Sequence, residues 1–110
     1  MNIYKVSRKD GASYDEYDSF VCVAETEEQA KLMFPDLDGI NQEGDCYHCE
    51  VVDNTGMIAI FDANGKRVEN LDFWLHEWTN NINDIEVELV GVADAKYTMP
   101  QVIVASFNAG

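Results

Sequence analysis

Residues Phe20-Val21-Cys22-Val23-Ala24 form an unbroken apolar run of five. Without the polar alternation of a half-wet strand, the run predicts a β-strand buried on both faces, starting at Ser19. A helix start follows at once. Thr26 and Gln29 have the spacing of a capping box, and Glu27 and Glu28 suit the positive end of the helix dipole. Ala30, Met33 and Phe34 supply its apolar side, and Pro35 is expected to stop it after about two turns.

Around this centre, Ile3–Ser7 reads as a strand with Tyr4 and Val6 on one face, ended by a turn at Asp10-Gly11. Asp36 to Asp45 has the composition of a loop. Asn54-Thr55-Gly56 and Asp62-Ala63-Asn64-Gly65 bracket the apolar run Met57–Phe61, which predicts a small hairpin or a three-strand meander. Asn70 caps a second expected helix, in which Leu71, Trp74, Leu75 and Trp78 make an i, i+3, i+4, i+7 stripe. Ile85-Glu86-Val87-Glu88-Leu89 alternates like a strand with one wet face, Gly91 is read as a bulge where that pattern breaks, and Gln101–Phe107 is a last apolar strand. The expected architecture is a single α+β domain over 1–110, with an antiparallel sheet, two short helices and a hairpin-rich insertion at 38–75.

Charge narrows the function. The 110 residues hold seven Lys+Arg against twenty-one Asp+Glu, a formal net charge of −14. Residues 1–24 carry three bases and four acids, 25–50 one base and eight acids, and 51–110 three bases and nine acids. Such a surface repels phosphate, so direct binding to nucleic acid or anionic lipid is not expected, and the natural counterpart is a basic protein. Charge that serves solubility alone is the bland alternative. The longest apolar runs fall far short of the ~20 residues that span a bilayer. Met1–Lys5 has no signal-peptide core, so a cytoplasmic location with reduced cysteines is expected.

The segments Tyr14-Asp15-Glu16-Tyr17-Asp18-Ser19-Phe20-Val21 and Val104-Ala105-Ser106-Phe107-Asn108-Ala109-Gly110 resemble a group of small, uncharacterised proteins encoded by bacteriophages. The resemblance spans residues 1–34 and 84–110 and leaves 38–75 as the insertion. It implies a phage accessory protein acting in the host cytoplasm. Such proteins often bind and inhibit host factors, including restriction and CRISPR machinery.

Candidate chemistries separate by residue pattern. Cys46-Tyr47-His48-Cys49 has the spacing of a zinc ligand pair, with Cys22 and either His48 or His76 to complete four ligands, but a second closely spaced pair is lacking. A zinc-stabilised interaction module on Cys46 and Cys49 is the alternative reading. Asp45 and Glu50 would raise the thiol pKa and disfavour redox catalysis. Asp36-Leu37-Asp38-Gly39 and Asp62-Ala63-Asn64-Gly65 place Gly at the fourth position rather than the sixth of a calcium loop. No nucleophile elbow, phosphate loop or dinucleotide fingerprint occurs, so neither an enzyme nor a cofactor is expected.

Interleaved Tyr and carboxylate groups suit Arg and Lys through ion pairing and cation–π contact, although Tyr14 and Tyr17 could equally pack on the core. The expected partner-binding set is Tyr14, Asp15, Glu16, Tyr17, Asp18, Glu25, Glu27, Glu28, Asp36, Asp38, Glu43 and Asp45. Fourteen charges correspond to roughly 24 Å of duplex DNA, a length that a domain of this size can present. Nucleic-acid mimicry against a defence nuclease is therefore one form of the expectation, and it requires the acids to share a face.

Overall fold

The structure, a computed structural model, describes residues 1–11, 16–33, 35, 48–69 and 78–108. Its elements are β1 (Asn2–Arg8), β2 (Glu16–Ala24), α1 (Glu27–Lys31), β3 (His48–Val51), β4 (Ile58–Phe61), β5 (Ile85–Val92) and β6 (Gln101–Asn108). A 3₁₀ turn, Ile82–Asp84, leads into β5. These elements make an α+β fold with two antiparallel sheets. Of the second expected helix, residues 70–77 lie outside the described residues, and Trp78, the last of its stripe, lies in a bend and is buried.

The larger sheet has the order β5-β1-β2-β6. β1 and β2 form its central hairpin, with Tyr4 opposite Cys22 and Val6 opposite Phe20. β5 pairs with β1 and β6 with β2, so two strands consecutive in the chain occupy opposite edges, and residues 93–100 carry the chain between them. Alternation gives the sheet an inner face with Tyr4, Val6, Phe20, Cys22 and Val87. Its outer face carries Lys5, Ser7, Val21, Glu86, Glu88 and Val104.

The pairing slips by one residue in three places, leaving Asp18, Val90 and Ile103 as the extra residues. The slip at Val90 adjoins Gly91, where the alternation of β5 breaks. Both edge strands are thus bulged, a common device where a sheet ends.

Phe20, Cys22, Val23 and Ala24 are buried and Val21 is half-buried, close to the expectation for an apolar run covered on both faces. The core joins Tyr4, Val6, Phe20, Cys22 and Ile85 of the large sheet to Ala30, Trp78, Cys49, Ile58 and Ile60. Burying one such large side chain stabilises the fold by about 1.5–3 kcal/mol. Because Cys49, Ile58 and Ile60 lie within 38–75, the expected insertion shares the main core.

α1 is shorter than its apolar pattern suggested. Thr26 Oγ1 accepts from the Gln29 backbone N–H at 3.1 Å as a cap should, but Gln29 Oε1 accepts from Glu25 N–H at 2.7 Å, one residue before the usual reciprocal donor. Leu32 caps the helix C-terminus, and Met33 packs on the core from beyond it.

The smaller sheet takes the hairpin form, with one isolated bridge beyond β4 in place of a third strand. β3 pairs with β4, Phe61 bridges to Arg67, and Val68 N–H donates to Ile60 O at 2.9 Å. Asp53 Oδ1 organises the first turn by accepting from Thr55 N–H at 2.9 Å and from Thr55 Oγ1 at 2.6 Å. Gly56, at φ +91°, lets this turn approach the segment before β5. There Asn81 and Asn83 each donate a side-chain amide to Thr55 O at 3.1 Å, and Ile82 N–H donates to Gly56 O at 2.8 Å. A Cβ at Gly56 would lie 2.5 Å from Asn83 Nδ2, so no larger residue fits without displacing that contact.

Candidate functional site

The described members of the expected partner-binding set do not converge. At the start of β2, Glu16 is held within the chain by Arg8, whose Nη1 lies 2.8 Å from Glu16 Oε1. The same guanidinium donates from Nε to Asp10 Oδ1 at 2.6 Å and from Nη2 to Asp10 Oδ2 at 2.9 Å. Its hydrogen bonds hold the Asp10 carboxyl below the usual carboxylate range and raise the pKa of Arg8 in turn. Tyr17 packs against the core. Asp18 sits exposed on its bulge, accepting from Ser19 Oγ at 3.1 Å. Tyr14 and Asp15 lie outside the described residues, as do Asp36, Asp38, Glu43 and Asp45.

Glu25, Glu27 and Glu28 are exposed beyond the other end of β2. Nine strand residues at about 3.3 Å each put them roughly 25–30 Å from Glu16. The two described parts of the expected set therefore form separate surfaces.

Glu27 has different neighbours. It lines an open concavity of about 390 Å³ with Lys31, Lys5, Ser7, Glu86 and Glu88. Helix α1 contributes Glu27 and Lys31 one turn apart, Glu86 and Glu88 alternate along β5, and the β1–β5 register sets Lys5 against Glu88 and Ser7 against Glu86. Three carboxylates thus meet two ammonium groups at an accessible surface, with Glu25 and Glu28 close by in sequence. Such a surface can accept hydrogen bonds and ion pairs from a cationic group. Glu86 and Glu88 were absent from the expected set, although the β5 alternation already marked them as solvent-facing. What the sequence lacked was the strand order that brings β5 beside α1.

The zinc reading rests on Cys46, outside the described residues, and on Cys49, which is only 1% exposed and belongs to the core. Burial pushes the Cys22 thiol up to about 11 and the Cys49 thiol further still, which favours the neutral form over the thiolate a metal requires. His48 opens β3. Among the described residues, no three or more His, Cys, Asp or Glu side chains are placed to hold a metal ion. Asp62, the head of the second calcium-like segment, accepts through Oδ1 from the N–H groups of Asn64 at 2.9 Å and Lys66 at 3.0 Å. This geometry is that of a turn.

No family model, curated protein or solved structure matches the chain. Among the described residues, no helix is long and apolar enough to cross a membrane.

Proposed function

We propose that this protein acts without catalysis, as a phage accessory protein whose acidic surface binds a basic protein of the bacterial host and inhibits it. The observation that carries the reading is the grouping of Glu27, Glu86 and Glu88 around one open concavity shared with Lys5 and Lys31, with Glu25 and Glu28 near Glu27 in sequence, in a chain of net charge −14. A strongly negative net charge attracts cationic partners and speeds their encounter. The resemblance of the Tyr14–Val21 and Val104–Gly110 segments to phage proteins supports a host factor as the target. A restriction or CRISPR nuclease, with its basic nucleic-acid groove, has the required charge.

Affinity capture from bacterial lysate tests the reading. The wild-type chain and a Glu27→Gln/Glu86→Gln/Glu88→Gln variant are immobilised side by side, and retained proteins are identified by mass spectrometry. A basic protein held by the wild type and lost from the variant supports the proposal. Retention of the same proteins by both chains, or of no basic protein by either, counts against it.

A further inference from the structure

We infer that β6 is a self-association edge, which pairs antiparallel with β6 of a second copy to join two four-stranded sheets across a two-fold axis. Among the described residues no strand lies beyond β6, so its outward row of backbone N–H and C=O groups is a template for one more strand. Of the four strands in that sheet, β6 alone carries no ionisable side chain and no proline over Gln101–Asn108. Val102 and Ala105 pack inward, while Ile103 and Val104 between them remain 42% and 58% exposed. The bulge at Ile103 interrupts the edge once, and Val104–Asn108 continues beyond it. The opposite edge differs, because β5 presents Glu86 and Glu88.

Charge selects the occupant. A two-fold antiparallel pairing sets residues of β6 against residues of β6, so an edge can self-pair only where like charges do not meet. β6 satisfies that condition and β5 does not. A basic partner strand would find no carboxylate on β6, so this edge is distinct from the acidic surface proposed above. Because each copy carries −14, repulsion opposes pairing at low ionic strength and salt relieves it. Dimerisation should therefore strengthen with salt, whereas binding to a basic partner should weaken, and the two proposals can fail independently.

Sedimentation velocity of the full chain over roughly 1–100 µM, at low salt and at about 0.5 M salt, tests the inference. The expected result is a monomer–dimer equilibrium shifted at least fivefold toward dimer by salt. Val104→Lys and, separately, Ser106→Lys should abolish it, since both replaced side chains are exposed on β6. Val92→Lys on β5 should leave it intact. Hydrogen exchange should show concentration-dependent protection in β6 and not in β5. A monomer under every condition overturns the inference. So does a dimer that survives both β6 substitutions, or one whose added protection lies elsewhere.

Discussion

The Phe20 and Trp78 rings meet edge to face, at a centroid separation of 5.3 Å and an interplanar angle of 61°. This contact joins the middle of β2 to the segment that leads into β5, and both rings are 1% exposed. Trp78→Ala and Phe20→Ala should each cost about 3–5 kcal/mol, because a large void replaces a packed ring. The double variant should cost less than the sum of the two by about 0.5–1.5 kcal/mol, the worth of an edge-on aromatic pair. Urea melts of the four chains measure both quantities.

Two glycines with similar backbone angles should respond differently to alanine. Gly56 and Gly65 have φ of +91° and +81°. A Cβ at Gly65 meets open space, whereas one at Gly56 meets Asn83 Nδ2 at 2.5 Å and Asn81 Oδ1 at 2.8 Å. Gly65→Ala should cost about 1–2 kcal/mol for the left-handed conformation alone. Gly56→Ala should cost about 1–3 kcal/mol more, through the lost bonds to Thr55 O. The midpoint difference between the two in urea is the test.

Arg8 organises the turn end of the β1–β2 hairpin. With its side chain only 7% exposed and bonded to Asp10, Glu16 and the Tyr17 carbonyl, Arg8→Gln should destabilise the fold by about 1.5–3 kcal/mol. Because Arg8 lowers the folded-state pKa of Asp10, its contribution is present above the unfolded Asp value near 4. It is lost as pH falls through the depressed folded value. Acid titration of stability should therefore be flatter below pH ~4 in the variant than in the wild type.

Cys22 and Cys49 should resist alkylation in the folded chain at pH 8 and react fully in urea, as peptide mapping after iodoacetamide would show. Burial raises both thiols, Cys22 from 9.0 to about 11, so the unfolded chain ionises first as pH rises. Stability should accordingly fall between about pH 9 and 11, the sign for a folded state that holds its protons longer.

Much of the fold was legible in the sequence because its signals are local. The Thr26 cap, the turns at Asn54-Thr55-Gly56 and Asp62–Gly65, the alternation of β5 and its break beside Gly91 depend on residues a few positions apart. Strand order is not local, and it decided the rest. The apolar run of β2 and the apolar run of β6 read alike, yet the first lies at the sheet centre with Phe20 and Cys22 buried, while the second lies at an edge with Ile103 and Val104 exposed. The same limit hid the charged concavity, since Glu27 and Glu86 are far apart in sequence. It also parted Glu16 from Glu25, which sequence proximity had grouped.

In the proposed function, exposed carboxylates on α1 and β5 bind a cationic protein surface. The most direct test is the affinity of the captured basic protein, measured by calorimetry between 50 and about 300 mM salt, for the wild type and the Glu27→Gln/Glu86→Gln/Glu88→Gln variant. Exposed ion pairs are screened beyond roughly 8–10 Å, so the wild-type affinity should fall at least tenfold across that range. The variant should begin weaker and depend less on salt. An affinity that ignores salt, or that the three substitutions leave unchanged, contradicts the account.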